Sequence, residues 1–132
     1  MTTIADYREL VNSSGLQDID IGILCLNAGS QSPGPLEDVK DELCEVTLRL
    51  TALHNVYLLK VLAGKLLNRD KRCALLFTSS IIADKILPCN SSYSASKACV
   101  TNWGESMYFE LRSNVDVTVW EPALIKSNFR TD

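Results

Sequence analysis

Three side chains of this sequence have the types and spacing needed to move a proton to or from a neutral oxygen: Ser80, Tyr93 and Lys97. Tyr93 and Lys97 bound the segment Tyr-Ser-Ala-Ser-Lys, four positions apart, so a helix that opens here sets both on one face. Ser80 lies thirteen residues before Tyr93, just past the apolar run 73–77. A free phenol, with a pKa of about 10, is a weak acid near neutrality, and a neighbouring ammonium favours its ionised form and pulls that value down. Tyr93 is thereby suited to trade a proton with an alcohol or carbonyl group. Ser80 would hydrogen-bond the same oxygen and steady the charge that develops on it.

Those residues need a scaffold, and the hydrophobic pattern supplies one. Apolar positions at helical intervals predict a short helix from Ile4 to about Val11, stopped by Asn12-Ser13-Ser14-Gly15. The run Ile21–Leu26 is almost continuously apolar, as in a parallel strand buried on both faces, and Asn27-Ala28-Gly29 ends it. Ser30 to Pro35 reads as a loop, 36–45 as a solvated acidic helix, and 46–67 as a long helix apolar nearly all round. After the charged link 68–72, Cys73–Thr78 is a second strand, the segment opening at Tyr93 and ending near Ser113-Asn114 a helix, and Val115–Trp120 a third strand. Strands alternating with helices predict an α/β domain with a parallel sheet.

Composition narrows the function classes. The chain has 132 residues, one domain's worth, and a formal charge of −3, which gives no basic surface for nucleic acid. Five cysteines occur without a C-x-x-C pair or a His cluster, so neither a zinc site nor a disulfide framework is expected, and a reducing, cytoplasmic setting fits best. The apolar stretch 46–67 is broken by Arg49, His54, Lys60 and Lys65, which argues against a membrane span. His54, with nothing nearby to complete a site, reads as a helix-face residue.

Taken together, Leu26-Asn27-Ala28-Gly29, Ser80 and the Tyr93/Lys97 pair, in this order, resemble the short-chain dehydrogenase/reductase family, whose usual Asn-Asn-Ala-Gly stands here with Leu26 first. The resemblance implies a partial Rossmann-like, doubly wound parallel sheet with flanking helices, its three strands equivalent to the family's fourth, fifth and sixth. It implies an oxidoreductase that interconverts a secondary alcohol and a ketone with NAD or NADP. Ser80, Tyr93 and Lys97 would be catalytic, and Asn27, Ala28, Gly29, Tyr93, Lys97, Ile125 and Ser127 would contact the cofactor. A homodimer through the helices 46–67 and 94–112 is implied as well, with a small alcohol or carbonyl compound as substrate. The sequence also departs from the family pattern. Its glycine-rich Thr-Gly-x-x-x-Gly-x-Gly turn is not found, Ala123 stands where Gly is usual after Pro122, and Arg49 falls at the position of a helix Asn that supports proton relay, with Asn55 six residues on. These departures leave a second reading, a non-catalytic interaction module that does not bind cofactor.

Overall fold

Three strands rich in Val, Leu, Ile and Phe pair in parallel, as continuous apolar runs do when helices must return the chain between them. A computed structural model describes residues 3–126. The sheet order is β1 (Ile23–Leu26), β2 (Cys73–Thr78), β3 (Val115–Trp120), with Leu24 opposite Leu75 and Leu75 opposite Val117. Its element order matches the alternation expected from the sequence, and the fold is an open parallel α/β sheet with flanking helices.

Helix α1 (Ile4–Ser13) opens on a capping box, in which the Asp6 amide donates to Thr3 Oγ1 (3.3 Å) and the Thr3 amide donates to Asp6 Oδ2 (3.1 Å). Gly15, at φ +75°, carries the chain out of it. The acidic helix expected at 36–45 starts only at Asp41. Pro35 instead heads a tight turn in which its carbonyl accepts from Asp38 (3.0 Å) and Val39 (3.2 Å), and the extended backbone of Lys40 blocks any earlier start. Asp41 and Glu42 then occupy the first turn of α2 (Asp41–Leu48), where acidic side chains complement the helix dipole.

From Asp41 to Leu67 the chain is one helical run, with a π-helical turn at Arg49–Leu53 joining α2 to α3 (His54–Leu67). By length and composition alone this run could cross a bilayer, a test that the core helix of a folded layer also passes. Here its Leu59 and Leu66 pack with Leu26, Leu75 and Phe77 of the sheet. Helix α4 (Ser91–Leu111) covers the same sheet face through Val100, Met107 and Leu111. It approaches closely at Gly104, where a Cβ would lie 2.6 Å from Val119 Cγ2 and 3.0 Å from Phe77 Cδ2.

The helix faces and the strand alternation together set the sheet's two sides apart. Leu75 and Phe77 are fully buried under α3 and α4, whereas Ile23 on the opposite side is 69 % exposed and Cys25 and Trp120 are exposed too. The expectation that β1 is buried on both faces is therefore met on one face only, because no described element lies over the other.

Candidate active site

The carboxyl ends of all three strands open into one cleft of about 710 Å³. This is where ligands enter open parallel sheets, since the connections diverge there. The β2–β3 ladder continues past the strands, with the Ser79 amide donating to the Trp120 carbonyl (2.8 Å) and the Ile81 amide to the Pro122 carbonyl (3.2 Å). These bonds hold Ser80 beside the segment that begins at Pro122.

Helix α4 brings the other two groups. Ser94 Oγ donates to the Lys85 carbonyl (2.9 Å), tying the loop 81–90 to the first turn of the helix. Tyr93 and Lys97 then lie on one helical face with the Lys97 ammonium 5.6 Å from the centre of the Tyr93 ring, and the Ser80 hydroxyl hydrogen-bonds the phenol. Lys97 is only 3 % exposed and donates to the Thr78 carbonyl (2.6 Å).

The electrostatics depart from the expectation that the ammonium lowers the phenol. Burial pushes the Tyr93 pKa above its ordinary value, and the Ser80 hydrogen bond offsets this only in part. The same desolvation acts on Lys97 in the opposite sense and lowers it to about 8, because burial disfavours whichever form is charged.

Asn27, Ala28 and Gly29 line the same cleft, as do Ala123, Leu124 and Ile125. Of the predicted site residues, the structure thus brings Ser80, Tyr93, Lys97, Asn27, Ala28, Gly29 and Ile125 around one cleft. Ser127 lies outside the described residues.

Arg49 does not face this site. Its guanidinium pairs with Glu45 (3.0 Å) on the outer side of the helix. The inward positions belong to Thr47, Thr51 and Asn55, all buried. Thr51 Oγ1 accepts from the Ser30 amide (3.0 Å) and donates to the Ser30 carbonyl (2.9 Å), so it clamps the turn that follows β1. Gly29 is wedged beside it: a Cβ there would lie 3.5 Å from Thr51 Oγ1 and 3.8 Å from Lys97 Nζ. Asn55 Nδ2 donates to the Thr51 carbonyl (2.6 Å), within the π-helical turn. A signal for this was present in the sequence, since polar residues at 47, 51 and 55 recur every four positions through an apolar helix.

A second missed set supports α4 from behind. Ser79 Oγ lies 3.0 Å from the Lys97 carbonyl and 2.6 Å from Thr101 Oγ1, and Thr101 donates to Glu121 Oε1 (2.6 Å). The chain from Glu121 to Lys97 links the end of β3 to the helix that carries the amine.

The family model for short chain dehydrogenases matches residues 1–132. The chain belongs to the short-chain dehydrogenase family. Among solved structures it is similar to a short-chain dehydrogenase/reductase from Burkholderia phymatum in complex with NAD, at 20 % identity and a TM-score of 0.81, covering 94 % of this chain and 45 % of that one. It is similar also to the ligand-free aldohexose dehydrogenase of Thermoplasma acidophilum (19 % identity, TM-score 0.83, 97 % and 50 % covered). A third is the alcohol dehydrogenase of the archaeon Thermococcus sibiricus complexed with 5-hydroxy-NADP (17 %, 0.80, 96 % and 52 %). At such identities the likeness speaks for the fold, and this short-chain dehydrogenase chain spans about half the length of those structures. No curated protein matches it in sequence.

Proposed function

We propose that this chain carries the proton-transfer part of an alcohol/carbonyl oxidoreductase that works with NAD or NADP. The observation that carries the reading is the meeting of Ser80, Tyr93 and Lys97 at the base of one cleft, where the carboxyl ends of the strands converge. The nicotinamide cofactor, when bound, exchanges a hydride with the substrate carbon. The protein's own part concerns the oxygen. In the reducing direction Tyr93 Oη gives its proton to the carbonyl oxygen, and in the oxidising direction it takes the proton of the alcohol. Ser80 Oγ donates a hydrogen bond to the same oxygen and favours the charge that builds on it.

Lys97 keeps its ammonium below pH 8 and, close to the Tyr93 ring, stabilises the phenolate that proton donation leaves behind. The residues fit the nicotinamide and ribose end of the cofactor: an ammonium and a phenol for ribose hydroxyls, and the small residues Ala28 and Gly29 in the same cleft. They do not fit its pyrophosphate, since Lys97 is the sole cationic residue lining the cleft among the described residues and the glycine-rich turn is not in this sequence.

The test is a titration of the chain with NADH and with NADPH, following nicotinamide fluorescence and thermal midpoint together. Saturable binding that raises the midpoint is expected, and with a ketone substrate Tyr93→Phe should lower turnover by at least about 100-fold while the protein stays folded. Retained turnover in that variant would overturn the role given to the phenol.

The second reading is an interaction module that keeps the fold without the cofactor, and the unmatched pyrophosphate end favours it. Failure of a folded chain to bind either nucleotide would decide for it. Under both readings we assign a homodimer through 46–67 and 94–112, supported by exposed Val46, Leu53, Tyr108 and Phe109 on those helices. The cysteines of the described residues are free thiols, in keeping with a reducing, cytoplasmic setting.

A further inference from the structure

The cleft is not chemically uniform. Its floor is polar, with Ser80, Tyr93 and Lys97, but the wall that rises from β2 into the loop before α4 is formed by Ile81, Ile82 and Leu87. Leu124 faces the same space from the segment after β3, and it is 80 % exposed, as Ile81 is at 49 %. Apolar side chains gathered at the mouth of a cleft and left in water are informative where scattered ones are not, because burying them against a ligand recovers about 25 cal/mol per Å² of apolar surface.

Charge points the same way. Among the described residues no Asp, Glu or Arg lines the cleft, and its one ammonium, Lys97, is already bonded to the Thr78 carbonyl beside the reacting phenol. A carboxylate or phosphate on the substrate's body would find no counter-ion on the apolar wall. A polyol would find the amides of Asn27, Gln31 and Asn90, but along Ile81, Ile82, Leu87 and Leu124 only aliphatic surface that cannot replace the hydrogen bonds it gives up to water.

We infer that the substrate is a neutral secondary alcohol or ketone with a bulky aliphatic body, its oxygen at Ser80 and Tyr93 and its body along Ile81, Ile82, Leu87 and Leu124. The substrate class rests on the oxidoreductase reading for its reacting group, whereas the apolar wall is a property of the cleft that binding alone can test.

The experiment is equilibrium binding of 2-butanone, 2-hexanone, 2-octanone and 1,3-dihydroxyacetone to the full chain without nucleotide, read by saturation-transfer NMR and by the change in tryptophan fluorescence, to which Trp120 in the cleft contributes beside Trp103. Affinity is expected to rise along the ketone series by up to about fourfold per methylene, with dihydroxyacetone weakest. Ile81→Gln and Leu87→Gln should each flatten that rise. Ile86→Gln should leave it intact, since Ile86 belongs to the same loop and is 95 % exposed but does not line the cleft. A flat series, a preference for dihydroxyacetone, or equal loss in the Ile86 variant would each overturn the inference. The oxidoreductase reading fails separately: a chain that binds 2-octanone through Ile81 but neither NADH nor NADPH keeps the apolar site and loses the redox role.

Discussion

The two faces of the sheet are built from the same three strands, yet they differ in what they do. On one side Leu24, Leu26, Leu75, Phe77, Val117 and Val119 meet α3 and α4 and form the core. On the other, in the same register, Ile23, Cys25, Thr118 and Trp120 stay exposed. Backbone pairing is indifferent to this, because a ladder satisfies its amides whichever way the side chains point. Stability is not indifferent. The helices convert one face into the apolar burial that holds the domain, and the open face contributes little beyond its hydrogen bonds.

The sharpest way to break this contrast is to empty the covered side. Phe77→Ala should cost about 3–5 kcal/mol, through lost transfer energy and a cavity beneath Trp103 and Gly104, and urea unfolding monitored by circular dichroism measures it. A loss below about 1 kcal/mol would mean that the helices do not pack as described.

Lys97 is the covered side's exception, a charge among buried groups. Its pKa in the folded protein, about 8, lies below the 10.5 of a free lysine. The unfolded chain therefore binds more protons than the native one from about pH 8 to 10.5, so stability attributable to this group rises with pH across that window. Below pH 8 its desolvation cost is present in full. Lys97→Met removes the titration, and the variant's stability relative to the parent should fall by about 2–3 kcal/mol between pH 7 and pH 10. Unfolding curves at both pH values check the sign, and a pH-independent difference would refute it.

Gly104→Ala sets two effects against each other. An alanine inside a helix gains up to about 1 kcal/mol over glycine. Here its Cβ meets Val119 Cγ2 at 2.6 Å, and overpacking of that kind costs about 1–3 kcal/mol, so a net loss near 1 kcal/mol is expected in thermal melts. The smallest effect belongs to the open face. Ile23→Thr, at a strand position 69 % exposed, should shift stability by less than about 0.5 kcal/mol. A loss as large as that of Phe77→Ala would show the open face covered in solution.

Much of the site was legible before any coordinates. Tyr93 and Lys97 depend on helical spacing and Ser80 on the end of an apolar strand, both local properties, and all three meet in the cleft. Arg49 illustrates the opposite case. Its place in the pattern Leu-Arg-Leu matched a family position that supports proton relay, but its guanidinium pairs with exposed Glu45 one α-helical turn back. Thr51 instead faces the turn after β1. The Glu121–Thr101–Ser79 chain was invisible for another reason, since its members are twenty or more residues apart and share no periodicity.

By itself the sequence determined what depends on neighbours along the chain: three strands, the helices between them, their parallel order, and a hydroxyl, a phenol and an ammonium placed at element ends. Tertiary structure alone decided which sheet face is buried and that burial raises the Tyr93 phenol despite the ammonium beside it. The physical reason is common to both. Burial and desolvation depend on what lies across space from a residue, and one-dimensional spacing carries no information about that distance.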